Sequence, residues 1–62
     1  MEITVNLSNG TTRHFHNAAF DFTEKASDGF IDISKGFLIV ISDGETNKIP
    51  CEVIDSFSFR LG

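Results

Sequence analysis

The stretch EITVNLSNGTTRHF, from Glu2 to Phe15, decides the fold. Ile3, Val5 and Leu7 alternate with Glu2, Thr4 and Asn6, a period of two that gives a strand one dry face and one wet face. Ser8-Asn9-Gly10 follows. Glycine supplies a positive φ without steric penalty and asparagine tolerates the left-handed region, so the chain turns back here into a hairpin. A two-residue Asn9-Gly10 loop would pair Val5 with His14 and Thr4 with Phe15, placing Phe15 on the wet face. A three-residue Ser8-Asn9-Gly10 loop pairs Ile3 with Phe15 and keeps the apolar side chains together. Because a slip of one residue inverts every side chain, the longer loop, with Gly10 at a bulge, is the predicted one.

The same alternation recurs outward from this hairpin, in Phe20 and Phe22, in Ile31 and Ile33, and in Phe57, Phe59 and Leu61. Between these runs lie further turn signals, Ser27-Asp28-Gly29, Lys35-Gly36 and Ser42-Asp43-Gly44. The segments 2–7, 12–17, 19–24, 29–34, 37–42, 45–49 and 54–60 read as short strands in meander order, and no window has a helical period. Some neighbouring segments must merge or bend to leave five or six strands; 12–17 and 19–24 read as two strands or, since Asn17-Ala18-Ala19 has no strong turn signal, as one long strand kinked or bulged near Ala18 and Ala19. Pro50 breaks the ladder before the last strand. A short sheet that curls on itself hides its own edges, so the expected architecture is all-β: a single domain, 1–62, forming a small, partly open meander barrel with no substantial helix.

Size and charge bound the function. A chain of 62 residues buries only about 60% of the surface its unfolded form exposes, so a core standing alone is marginal. Cys51 is the only cysteine, which removes an internal disulfide and any multi-cysteine zinc site and leaves association as the open means of support. Nine acidic residues against five scattered basic ones give a net charge of −4, unlike the concentrated basic surface of a nucleic-acid binder. No apolar run approaches the roughly 20 residues that span a bilayer, and a cytoplasmic protein with no membrane contact is expected.

The Ser-Asp-Gly repeat at 27–29 and 42–44 is turn chemistry, not a metal loop. An EF-hand-type loop needs oxygen ligands at its first, third and fifth positions and glycine at the sixth, whereas Gly29 directly follows Asp28 and Phe30 stands third. No helix follows these glycines, so no phosphate cradle is expected either. His14 and His16 flank Phe15 and project from one face, but no third ligand is readable, and they are taken as solvent-facing. Cys51 beside Glu52 reads as a buried, inert thiol. The carboxylate pairs Asp21/Glu24 and Asp28/Asp32 read as solvated, because so short a chain has little material for a walled catalytic pocket. No enzyme, cofactor or metal is therefore expected.

The tail KIPCEVIDSFSF, carried by Ile49-Pro50, Val53, Ile54 and Phe57, resembles the tails of SH3-like small barrels, in which Ile-Pro ends a strand and a single tight turn leads into the closing one. The whole chain is also similar to short proteins of Gram-positive bacteria and their phages. The resemblance implies the fold and brings no functional residue; peptide-gripping SH3 barrels use Tyr and Trp, and this chain has neither.

One anomaly remains, GFLIVIS, where Phe37 to Ile41 are apolar on both faces. A Lys35-Gly36 turn would pair Ile31 with Val40 and Phe30 with Ile41, leaving Phe30, Phe37, Ile39 and Ile41 on a second greasy face without a helix to cover it. That face is the expected interface of a non-enzymatic interaction module, either self-associating as a homodimer or docking on a protein partner. The alternatives are a nucleic-acid-binding barrel using exposed phenylalanines with the Arg13/His14/His16 strand, and a phage-type inhibitor of a host protein.

Overall fold

The computed structural model describes residues 1–23 and 36–62. Six antiparallel strands form two three-stranded sheets: β1 (Glu2–Leu7), β2 (Thr12–Phe15), β3 (Ala18–Phe22), β4 (Phe37–Ser42), β5 (Glu45–Pro50) and β6 (Ile54–Arg60). One sheet has the order β2-β1-β6 and the other β3-β4-β5. Among the described residues there is no α-helix, and a single 3-10 turn, Cys51–Val53, joins β5 to β6. β5 and β6 do not pair, so the two sheets do not close into one hydrogen-bonded barrel among the described residues.

The first hairpin has the expected register, Ile3 opposite Phe15 and Val5 opposite Arg13. Its loop is closed by Leu7 N–H to Thr11 O at 2.8 Å and Gly10 N–H to Leu7 O at 3.0 Å, with Gly10 at φ 88°. Of the two readings of 12–24, two strands is the one found, and the break lies earlier than Ala18 and Ala19. β2 ends at Phe15, and Asn17, at φ 52°, turns the chain into the other sheet. Asparagine is one of the few residues that enter the left-handed region at modest penalty, which locates the corner there. Ala18 is then free to sink into the core, its N–H bonded to Met1 O at 2.8 Å.

The anticipated hairpin between 29–34 and 37–42 is not how β4 is paired. Phe30 and Ile31 lie outside the described residues, and both edges of β4 are occupied. Val40 stands between Phe20 and Asn47, and Ile41 between Ala19 and Thr46. β4 is central because it is apolar on both faces, and a central strand presents the most surface to cover.

The core lies between the sheets. Ile3 and Val5 meet Leu38 and Val40, all essentially inaccessible, with Phe15, Ala18, Phe22, Ile49 and Cys51 closing around them. Each such aliphatic side chain contributes about 1.5–3 kcal/mol through burial. Cys51 is buried as expected. Arg13 is an exception to the alternation, since it projects to the Val5 side, donates to Asn47 Oδ1 at 3.2 Å and lies 4.9 Å from the centre of the Phe15 ring. Its guanidinium thus joins β2 of one sheet to β5 of the other.

Candidate functional site

The bend at Asn17 carries β3 across to the second sheet, and β6 returns beside β1. Together they bring four phenylalanines to one rim of the core. Phe20 lies 4.8 Å from Phe57 and 5.2 Å from Phe59, ring centre to ring centre, and Phe22 lies 5.6 Å from Phe57. The two contacts of Phe57, with Phe20 and with Phe22, are edge-to-face, the arrangement that sets the positive rim of one ring on the negative face of another. The cluster is not sealed. It lines a concavity of about 340 Å³ with Phe20 and Phe22 on one wall and Ile54, Asp55, Ser56, Phe57 and Phe59 on the other. Phe59 is 52% exposed.

Consecutive residues of β6 line the second wall, so the concavity runs along the strand's outer edge as well as its inner face. Backbone phase shows which groups point there. Leu7 exchanges its bonds with the β2 side, and Ser8 N–H donates to Val53 O at 2.8 Å on the β6 side. Since successive residues of an antiparallel strand bond in opposite directions, Glu2, Thr4 and Asn6 bond to their register partners Arg60, Ser58 and Ser56. The N–H and C=O groups of Phe57 and Phe59 therefore point away from β1, to an edge on which no described strand pairs.

The opposite, outer face of this sheet is polar. Thr4 Oγ1 and His14 Nδ1 are 3.2 Å apart, and the Glu2 carboxylate accepts from Arg60 and lies 3.0 Å from His16 Nδ1. Both histidines are exposed, and among the described residues no cluster of three or more His, Cys, Asp or Glu gathers around them. Arg13 points to the other face, so the expected Arg13/His14/His16 surface is divided between two sides of the sheet. Arg60, followed by His16, holds the Glu2 carboxyl below its ordinary value of 4.5. A carboxyl whose folded pKa is depressed adds stability above its unfolded pKa and loses it as pH falls through the folded value. The difference in urea midpoint between the protein and Glu2→Gln is accordingly expected to be constant above about pH 5 and to shrink toward zero in more acidic solution. It should also shrink in high salt, because the pair faces solvent. A difference that grows on acidification would contradict this assignment.

Of the four residues expected at an interface, Phe30 lies outside the described residues. Phe37, Ile39 and Ile41 share the outer face of β3-β4-β5, away from Leu38 and Val40. Part of that face is covered by its own sheet. The Lys48 ammonium sits 4.2 Å from the centre of the Phe37 ring, and Asp21 and Lys48 stand on either side of Ile39. Ile41, 49% exposed, is the open end. Sequence reasoning placed Phe20, Phe22, Phe57 and Phe59 in the core; the signal for a surface role was the uncharged run SFSF at 56–59 on what proves to be an edge strand. The chain matches no protein-family model, no curated protein and no solved structure.

Proposed function

We propose that this chain is a non-enzymatic protein-interaction module on an SH3-like, partly open small barrel, and that it takes an extended, alternately apolar segment along the outer edge of β6. The barrel reading is supported by the tight turn at Asn17 that takes the chain from β2 of one sheet to β3 of the other and by the 3-10 turn immediately after Ile49-Pro50. The observation that carries the function is the phenylalanine groove beside the outward backbone groups of Phe57 and Phe59. An added strand gains main-chain hydrogen bonds from such an edge, while every second side chain enters the adjoining pocket. Phe20, Phe22 and Phe57 form the floor of that pocket and Phe59 its exposed lip. The outer face of β4, with Ile41 at its open end, is a second and more broken contact surface in this reading.

The test is a panel of extended peptides with alternating apolar residues, titrated into the protein and into Phe59→Ser. Binding is expected to the protein and to weaken about tenfold or more in the variant, because an aromatic lip at the centre of a contact carries much of its energy. Equal binding by both, or none by the protein to any alternating peptide at concentrations where the chain is single, would end the proposal.

A further inference from the structure

The edges of the two sheets are not equivalent. Among the described strands the other edges are β2, β3 and β5, and each carries charge within it: Arg13 and His14 in β2, Asp21 in β3, Glu45 and Lys48 in β5, which also ends in Pro50. Charges and proline are the usual means by which proteins keep an edge from pairing with another chain. The central four residues of β6, Ser56-Phe57-Ser58-Phe59, contain none of these, and the register irregularity beside β6 lies at its far end, opposite Asn6/Leu7.

Resting on the groove reading above, we infer that the segment taken up by β6 is β6 of a second copy, in antiparallel register about a two-fold axis at Ser58. Sequence symmetry and side-chain pairing together select this register. With Ser58 facing itself, Phe57 meets Phe59 of the second copy and Phe59 meets Phe57, so the backbone groups that point outward are those that face one another. The same register sets Ser56 against Arg60 and Asp55 against Leu61, with no like charges opposed. It places Asp55 next in register to Arg60 of the other copy, so that opposite charges stand at neighbouring positions. Sliding the two-fold axis to Phe57 would instead set the Asp55 carboxylate opposite the exposed Phe59 ring. An interface of this kind is isologous and closes at two chains, joining the sheets as β2-β1-β6-β6-β1-β2. It also supplies the support that a chain of 62 residues lacks when alone.

The register gives a covalent test. Ser58 would stand opposite its own copy in a pair not bonded to each other through the backbone, with Cα atoms about 4.5 Å apart, within the about 4.4–6.8 Å that a disulfide spans. Two copies of Ser56, each opposite position 60, would be about 14 Å apart. Both serines are exposed, so cysteine is tolerated at either. On oxidation with diamide, Ser58→Cys is expected to give roughly tenfold more disulfide-linked dimer than Ser56→Cys, and the unsubstituted chain, whose Cys51 is buried, to give none. Sedimentation of the unsubstituted chain should show twice its 6.9 kDa mass, and Phe59→Lys should show the single mass. Equal linkage at 56 and 58 would overturn the register. A chain that stays single at millimolar concentration and still binds the peptide panel would overturn the second copy while leaving the groove reading standing. Absence of both dimer and peptide binding would remove both.

Discussion

Leu38→Ala is expected to lower the unfolding free energy by about 2–5 kcal/mol, the range for removing a fully enclosed leucine side chain. Leu38 has no accessible surface, and on the central strand β4 it is held between Phe22 on one side and Ile49 on the other. The cavity opens in the middle of the core, bounded by paired backbone, so the surroundings have little room to collapse. A small domain has a total stability of roughly 0.05–0.15 kcal/mol per residue, so this loss is a large share or the whole of it for a chain of this size. The control is Ile41→Ala on the same strand. Its side chain is half exposed on the outer face, and the loss there should stay under about 1 kcal/mol. Urea denaturation of both variants measures the contrast, and similar losses at 38 and 41 would mean that the two faces of β4 are equally covered.

The second large effect is at Gly44. Asp43 at φ 50° and Gly44 at φ 82° form the two-residue turn between Ser42 and Glu45, and two successive positive φ values are the signature of the hairpin turn whose twist matches that of its strands. A methyl group built at Gly44 meets nothing within 4 Å, so the penalty of Gly44→Ala is one of backbone conformation alone, about 1–2 kcal/mol. This separates it from a clash. The mirror-image residue tests the assignment: D-alanine at 44, introduced by chemical synthesis, prefers that region, and should instead stabilise by about 0.4–1 kcal/mol by restricting the unfolded chain. Equal destabilisation by L- and D-alanine would show that space, not φ, is limiting.

What the sequence disclosed, and what it hid, divides along the range of the interactions involved. The Ile3–Phe15 register was readable because a loop of three residues and a wet-dry alternation act within one hairpin. The turn at Asp43-Gly44 was readable for the same reason. The partner of β4 was not. Lys35-Gly36 is a good local turn signal, yet β4 takes its neighbours from β3 and β5, and a choice between candidate partners depends on which arrangement covers the most surface across the whole fold. Alternation likewise assigned Phe57 and Phe59 to an inner face correctly, but it cannot say how far the opposing sheet extends over that face. Arg13 illustrates the converse, because its position in the alternation points inward while its charge suggests otherwise, and Asn47 resolves the conflict by accepting its hydrogen bond.

The pairing of Glu2 with Arg60, residues 58 positions apart, makes the β1–β6 seam a late event in folding, because it closes a long stretch of chain. β1 is the middle strand of its sheet, yet its second edge has no cover until β6 has docked. The β3-β4-β5 sheet suffers no such delay, since its β4-β5 hairpin closes through Asp43-Gly44 with little loop entropy to lose. The β4-β5 hairpin therefore forms while Phe20 and Phe22 still lack Phe57 and Phe59. The stickiest interval is the one before β6 docks, when β6 of a neighbouring chain could offer the missing strand in place of the chain's own.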